Sequence, residues 1–182
     1  TVSGLDIVIA NAGISGGESK YSLGDTSQIR DIFAINLNGV LNTILPAIPL
    51  MSAKGYGQLG LMSSMAGFRG LPTAPAYAAS KSAVLSYGDG LRGELKKMGI
   101  KVSVICPGFV RSRITKNNTF PMPFFMEADK AAKTIRIGLE RNRPRVIFPW
   151  RLRIIMWLLS AIPAGWADRI LALAPQKSSN SH

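Results

Sequence analysis

A tyrosine, a lysine and a serine near the middle of the chain have the types and spacing needed for proton transfer. Lys81 follows Tyr77 by four positions, so the two side chains share one face if they lie on a helix. A phenol titrates at about 10. A neighbouring ammonium is expected to lower its pKa towards neutrality, where the phenol can donate and accept a proton. Ser64 lies thirteen positions before Tyr77, and its hydroxyl is expected to bind the same substrate oxygen.

Strand-like and helix-like segments alternate along the chain. Apolar or β-branched runs predict strands at 5–10, 58–63, 101–106 and 145–148. Helices are predicted at 26–52, 76–98, 127–141 and 151–162. Asp25 with Gln28 resembles a capping box at the start of the first helix, and Pro46 and Pro49 should bend its last turns. This order predicts an α/β fold, a three-layer parallel sheet with right-handed crossovers and helices on both faces.

The candidate residues follow the predicted strands. Asn11 comes directly after the first strand, Ser64 after the second and Pro107 after the third. Ligands of open parallel sheets bind outside the carboxyl ends of the strands, so we expect these residues to meet at one edge. Gly55, Gly57 and Gly60 spell a literal GxGxxG, but this one precedes a strand instead of opening a helix, so we interpret it as a surface turn.

Composition excludes several classes of protein. The 182 residues, 47% of them hydrophobic, are enough for one globular core. One cysteine, Cys106, and one histidine, His182, cannot build a disulfide framework or a zinc cluster, so no metal site is predicted. The longest strongly apolar run, 154–162, is shorter than the roughly 20 residues of a spanning helix. These features favour a cytoplasmic protein.

Charge is distributed unevenly along the chain. Residues 1–91 carry five basic and five acidic side chains, whereas residues 92–182 carry seventeen basic and five acidic ones. A basic half indicates an anionic partner such as a nucleotide phosphate or a lipid head group, or simply a solvated surface. Nucleic acid is not expected, because no helix-turn-helix, zinc or stacking motif accompanies the charge.

Five elements, in order, resemble the short-chain dehydrogenase/reductase (SDR) family. They are Asn11-Ala12-Gly13, Asn36 within INLNGV, Ser64 within SSMAG, Tyr77 with Lys81 within YAASK, and the segment Pro107, Gly108, Val110 and Ser112. A YxxxK pair alone is weak evidence, but the ordered set covers most of the chain. A threonine is usual in the family where Ser112 stands, and serine keeps the hydroxyl.

The resemblance implies hydride transfer between NADP or NAD and a carbonyl or alcohol. Tyr77 would exchange the proton with the substrate oxygen, and Lys81 would lower the tyrosine pKa and hold the nicotinamide ribose. Ser64 would bind the substrate oxygen, and Asn36 would hold a water near Lys81. The turn and the Pro107 segment, given above, would contact the cofactor. Ser63 is the rival to Ser64; the family spacing to the tyrosine favours Ser64.

The family's nucleotide-binding start, a strand followed by a TGxxxGxG turn, has no counterpart in the sequence. We therefore expect a truncated SDR domain that lacks the first βαβαβ unit, with an exposed first strand and weak cofactor binding by this polypeptide alone. Residues 1–150 are expected to form the C-terminal part of the Rossmann-type domain. Residues 151–175 would add apolar or amphipathic helices to it, and 176–182 a disordered tail.

Two alternatives remain open at this level. The chain is either an oxidoreductase or a non-catalytic SDR-like interaction module that has lost the cofactor. The arginine-rich apolar segment from Arg141 to Ile162 fits core packing, a substrate lid or subunit contact, or a peripheral membrane contact. A lid would suit an apolar small-molecule substrate such as a steroid-like ketone. The resemblance further implies a homo-oligomer at full length, paired through the two long helices.

Overall fold

The computed structural model describes residues 4–15, 26–116, 122–163, 165–166 and 169. Asp25 of the expected capping box, residues 170–175 of the expected C-terminal helices and the expected tail 176–182 lie outside the described residues.

Four parallel strands form one sheet in the order β1-β2-β3-β4. Their bounds are Ile7–Ala10, Gly57–Met62, Ile100–Pro107 and Arg145–Phe148. The apolar runs of β2 and β3 are buried along nearly their whole length, as expected for strands covered on both faces. The predicted α/β fold and its parallel sheet are therefore confirmed.

Helices connect consecutive strands and cover the sheet. The α-helices are α1 (Thr26–Phe33), α2 (Gly39–Ile44), α3 (Ala47–Lys54), α4 (Pro75–Leu95), α5 (Arg113–Lys116), α6 (Ala128–Glu140) and α7 (Trp150–Ala161). A π-helical turn, Ala34–Asn38, joins α1 to α2, and 3₁₀ turns occupy Met65–Phe68 and Lys96–Met98. Each long predicted helix is present within a few residues of its expected bounds.

The helical run from Thr26 to Lys54 is long and apolar enough, by length and composition only, to cross a membrane. The sequence analysis considered only uninterrupted apolar stretches, of which 154–162 is the longest, whereas this run is interrupted by Asn36, Asn38 and Asn42. Val40, Ile44 and Met51 on this run are buried in the main core cluster with strands β2 and β3. Packing accounts for only part of the apolar character of the run, because 28% of its most apolar window is buried and Leu45 and Leu50 are exposed.

Two glycines let α4 and the next strand come close to their neighbours. Gly88 lies over the sheet, and a Cβ built there would be 2.4 Å from Cγ2 of Val104. Gly99 ends the helix with φ 73°, a left-handed conformation that side chains rarely adopt. Its absent Cβ would also meet the Gly55 carbonyl. These contacts fix the height of α4 above the strands, and α4 carries the candidate tyrosine and lysine.

Strand β1 forms an exposed edge of the sheet, as predicted. Ile7 and Ile9 are 54% and 43% exposed, although a continuous apolar run is typical of a covered strand. At the other end of the molecule, α7 differs from one expectation. None of its residues is buried, so core packing does not account for its apolar sequence.

Candidate active site

Ser64, Tyr77 and Lys81 meet at the carboxyl end of β2. Ser64 follows the strand by two positions, and its Oγ accepts a hydrogen bond from the Ala66 amide at 3.1 Å, capping the 3₁₀ turn. Tyr77 and Lys81 lie one turn apart near the start of α4. The Lys81 Nζ lies 5.9 Å from the centre of the Tyr77 ring. The structure thus brings the three candidate groups to one side of the molecule.

Burial changes the charge state that Lys81 favours. The side chain is 3% exposed, and its Nζ donates to the Met62 carbonyl at 2.9 Å. Burial lowers the pKa of Lys81 to about 8, because the charged form loses hydration. Among the described residues this is the only hydrogen bond of the Lys81 side chain. Two of the three ammonium donors therefore remain for hydroxyl groups of a ligand.

The surroundings of Tyr77 shift its pKa in the direction opposite to the one expected from the sequence. Burial raises the pKa of the phenol, and a hydrogen bond with Ser64 lowers it by less. Lys81 is not among the causes of the shift. The i, i+4 spacing predicted proximity correctly, but it does not report how far both groups are removed from water. In this structure the phenol stays protonated at neutral pH.

Asn36 is buried and completely oriented by hydrogen bonds. Its Oδ1 accepts from the Ile14 amide at 2.8 Å, and its Nδ2 donates to the Ile14 carbonyl at 2.9 Å and to the Ser80 Oγ at 3.0 Å. Asn36 therefore links the loop after β1 to α4. It also lies within the π-helical turn, a distortion often found at functional positions.

Gly13 lies between this amide and the lysine. A Cβ built at Gly13 would be 3.2 Å from Asn36 Oδ1 and 3.2 Å from Lys81 Nζ. Both distances are shorter than an ordinary contact of a Cβ atom, so a side chain here would crowd the two atoms. Glycine at this position therefore lets the loop after β1 pass close to Asn36 and Lys81.

The two adjacent serines have different surroundings. Ser63 Oγ donates to the backbone carbonyl of Lys81 at 2.7 Å and is buried. This bond holds the end of β2 against α4. Ser64 instead faces the tyrosine hydroxyl. The geometry therefore supports Ser64 as the substrate-facing serine and gives Ser63 a structural part.

The predicted cofactor-binding residues surround the same edge of the sheet. Asn11 and Ala12 are exposed directly after β1. Pro107 ends β3, and Gly108 donates its amide to the Phe148 carbonyl at 2.8 Å. Val110 and Ser112 are held by Thr115, whose hydroxyl donates to the Val110 carbonyl at 2.7 Å and accepts from the Ser112 amide at 3.0 Å.

These groups fit the nicotinamide and ribose half of a dinucleotide. The ammonium donors of Lys81 and the exposed Asn11 side chain offer polar groups for such a ligand where β1 gives way to its loop, and Gly13 lets this loop pass close to Lys81. A larger open cavity of about 780 Å³ borders the exposed edge strand. Its lining includes Ile7, Ile9 and Asn11 but neither Ser64 nor Tyr77, so the cavity adjoins the candidate site without containing its acid–base groups.

Sequence reasoning missed three contributors to the site. Ser80 is fully buried, accepts from Asn36 and donates to the Tyr77 carbonyl at 2.8 Å. Gly67 lets the 3₁₀ turn approach α4, since a Cβ there would be 2.8 Å from the Lys81 carbonyl carbon. The third contributor is the backbone carbonyl of Met62, which accepts the hydrogen bond from Lys81 Nζ. The only sequence signal for Ser80 was its place beside Lys81.

Within the part of the chain that the structure describes, no group of three or more His, Cys, Asp or Glu side chains could hold a metal ion. Cys106 is buried, and burial raises the pKa of its thiol to about 12. The thiol therefore stays protonated at neutral pH and packs as a small apolar group.

Known proteins with similar sequences are named as oxidoreductases or dehydrogenases. An uncharacterized oxidoreductase of Myxococcus xanthus (strain DK1622) is 38% identical over 160 residues, which are 88% of this chain and 63% of that protein. Human 17-beta-hydroxysteroid dehydrogenase 13 is 28% identical over 89% of this chain and 55% of its own length. The chain therefore spans less than two thirds of the length of these relatives.

Solved structures share the fold. A short-chain dehydrogenase from Sphingobium yanoikuyae, in complex with NADPH, superposes with a TM-score of 0.75 at 22% identity. The superposition covers 97% of this chain and 68% of that one. The family model described as short chain dehydrogenase matches residues 1–121, which include every candidate site residue. The chain belongs to the short-chain dehydrogenase family.

Proposed function

We propose that the protein is an NAD(P)-dependent oxidoreductase that interconverts a carbonyl and an alcohol. The observation that carries this proposal is the convergence of Ser64, Tyr77 and Lys81 at the carboxyl edge of the sheet. The exposed turn at Asn11 and the Pro107 segment flank this edge. A nicotinamide nucleotide bound there would supply or accept the hydride.

The chain's own residues would handle the proton and orient the substrate. Tyr77 is protonated at neutral pH because burial raises its pKa, so it is ready to donate a proton to a carbonyl oxygen that becomes an alkoxide. Ser64 would donate a hydrogen bond to the same oxygen and stabilise its developing charge. Lys81 would donate to the ribose hydroxyls, and Asn36 would keep a bridging water in place.

We infer an apolar, small-molecule ketone or alcohol as the substrate. Phe124 and Phe125 are exposed beside the Val110 segment, and the apolar helix α7 packs its Leu152 against Gly108. These groups would form an apolar border to the site. The human relative is named as a hydroxysteroid dehydrogenase, and a steroid is consistent with this substrate class.

Domain layout, assembly and location are further parts of the proposal. Residues 1–150 would be part of a Rossmann-type domain, which the helices of 151–175 complete. Ile35, Leu45 and Leu50 leave apolar surface exposed on the Thr26–Lys54 run, which supports pairing with a second copy. We place the enzyme in the cytoplasm with a peripheral membrane contact.

Isotope transfer tests the reaction directly. The intact enzyme would be incubated with an apolar ketone and NADPH or NADH deuterated at C4 of the nicotinamide. One deuterium should appear on the carbinol carbon of the product, detected by mass spectrometry. The Tyr77→Phe variant, assayed beside it, should form little deuterated alcohol. Failure of the intact enzyme to label any ketone or aldehyde of a broad panel would contradict the proposal.

The alternative function is a non-catalytic interaction module. It predicts that removing the tyrosine hydroxyl changes nothing that the protein does. The oriented Asn36 amide and the ammonium donors of Lys81 favour the enzyme, because an inactive module needs neither. Binding of nicotinamide dinucleotide by the intact protein, followed by fluorescence, separates the two functions: complete absence of binding would favour the module.

A further inference from the structure

Helix α7 presents an apolar face that nothing in the described part of the chain covers. Its inner side chains, Leu152, Met156 and Leu159, are half-buried. The helix contacts β4 and the 3₁₀ turn after β2. The opposite face carries Trp157, which is 66% exposed, and Leu158, which is 51% exposed. The apolar stripe of a helix is usually covered by other parts of the protein or by a partner, so this outward face indicates a binding surface.

The outward face is wide and rich in aromatic side chains. Successive helical residues are about 100° apart, which puts Trp150, Ile154, Trp157 and Leu158 in one stripe opposite Leu152. Phe124 extends this surface from the neighbouring loop, because the Arg151 guanidinium lies 5.6 Å from its ring and 5.5 Å from that of Trp150. Tryptophan beside cationic side chains is typical of the boundary between lipid and water.

Two arginines flank the stripe. By the same helical spacing Arg151 and Arg153 lie on opposite sides of it, and both are exposed. Among the described residues neither forms an ion pair with a carboxylate. Between Glu140 and Asp168 the sequence contains five arginines and no acidic residue. The outward face therefore combines apolar surface with positive charge, and no carboxylate of this segment neutralises that charge.

This charge distribution discriminates between two occupants. A second copy packed on α7 around a two-fold axis would bring Arg151 and Arg153 towards their own equivalents. No carboxylate of the segment 141–167 could separate them. A membrane with anionic phospholipids supplies the missing negative charges and an apolar layer for the tryptophans. We propose that α7 docks the protein on the surface of an anionic phospholipid bilayer.

The docking surface lies next to the candidate active site. Leu152 of α7 packs on the Pro107–Gly108 segment, where a Cβ on Gly108 would be 2.9 Å from Leu152 Cδ1. The Arg69 guanidinium donates to the Ile162 carbonyl just after the helix at 3.0 Å. A protein bound through α7 would therefore hold its substrate-binding edge close to the lipid. Docking itself does not depend on the proposed reaction.

Vesicle co-sedimentation tests the charge component. The intact protein is mixed with phosphatidylcholine vesicles that contain or lack phosphatidylglycerol, at low and at high salt. We expect binding only to the phosphatidylglycerol vesicles, weakened by salt. At about 1 kcal/mol for each arginine at the surface, Arg151→Gln with Arg153→Gln should weaken the partition coefficient roughly 30-fold. The control pair, Arg30→Gln with Arg136→Gln, removes the same charge from exposed sites on α1 and α6 and should bind like the parent.

A second pair of variants tests the apolar component. Leu158→Ser should weaken vesicle binding, whereas Ile137→Ser, at an isoleucine that is 39% exposed on α6, should leave it unchanged. Both variants should keep the melting temperature of the parent. The proposal is overturned if the protein does not sediment with anionic vesicles, or if the control variants lose as much vesicle binding as the α7 variants do. A change of molar mass by light scattering in Leu158→Ser, without vesicles, would instead identify α7 as a contact between copies.

Discussion

At the scale of single residues, burial has a larger effect on the site than the attraction between neighbouring groups. Tyr77 and Lys81 lie one turn apart, yet removal from water favours the neutral form of each. The tyrosine therefore keeps its proton and the lysine loses part of its affinity for one. The sequence suggested that the Lys81 ammonium lowers the pKa of the Tyr77 phenol. In this structure desolvation outweighs that effect and raises the pKa.

The lowered pKa of Lys81 predicts a pH-dependent stability. Its pKa is about 8 in the folded chain and 10.5 as the reference value for an exposed lysine. Between these two pH values the unfolded chain binds more protons than the folded chain does. The buried Lys81 ammonium therefore destabilises the fold to its full extent below pH 8, and this destabilisation decreases as the pH rises towards 10.5. The stability difference between Lys81→Met and the parent should therefore change steeply between about pH 8 and 10 in urea unfolding.

The exposed Lys97 provides the control for that measurement. Lys97→Met should give a stability difference that is nearly constant over the same pH range. A constant difference for Lys81→Met as well would show that the buried ammonium is not destabilised as described.

Ser80 is predicted to act as a positioning residue. Ser80→Ala removes the hydroxyl that receives the Asn36 amide and leaves one buried donor unpaired, at a cost of about 1–3 kcal/mol. We expect kcat of the intact enzyme to fall with little change in KM for the ketone, since Asn36 no longer holds its orientation. Adding Asn36→Ala should lower kcat less than additively. Ser82→Ala, at an exposed position on the same helix, should leave kcat unchanged; equal effects of the two serine variants would argue against the positioning role.

At the scale of elements, close packing of α4 on the sheet fixes where the tyrosine lies. Gly88 faces Val104 of β3 at a point of close approach, and Gly67 lets the 3₁₀ turn after β2 approach the backbone of α4 at Lys81. Residues without reactive side chains therefore determine where Tyr77 and Lys81 lie.

A matched pair of glycine substitutions tests this packing. Gly88→Ala would bring a Cβ to 2.4 Å from Val104 and should destabilise the fold by about 1–3 kcal/mol. Gly90→Ala, on the same helix with nothing within 4 Å, should stabilise it by roughly 0.5–1 kcal/mol, because alanine favours the helix. The measurement is urea unfolding at neutral pH, and the same sign for both variants would contradict the packing argument.

Most of the elements were predictable because their sequences contain strong local patterns. Continuous apolar runs predicted β2 and β3, and Gly99 predicted the end of the helix that carries Tyr77. The Ser80 bridge was not predictable, since it joins side chains distant in the sequence, and no local pattern in the sequence marked the π-helical turn around Asn36. The exposure of α7 depends on which surfaces the rest of the fold covers, and a local apolar pattern does not report that.

At the scale of the whole molecule, the described fold leaves one edge of the sheet exposed. Ile7 and Ile9 of β1 face outward, and the chain covers 63% of its Myxococcus relative. The 182-residue polypeptide by itself should therefore bind NADPH weakly, because the described site offers groups for the nicotinamide half only. A fluorescence titration checks this, and micromolar affinity of the isolated polypeptide would contradict it.

In the proposed reaction the hydroxyl of Tyr77 transfers the proton during carbonyl reduction. The most direct measurement compares kcat for ketone reduction by the intact enzyme with Tyr77→Phe and with Tyr87→Phe, a half-buried tyrosine on the same helix. Loss of a general acid should lower kcat about 10²–10⁴-fold in Tyr77→Phe, with the melting temperature kept, while Tyr87→Phe stays near the parent. A Tyr77→Phe enzyme that reduces the ketone at the parent rate would contradict the account.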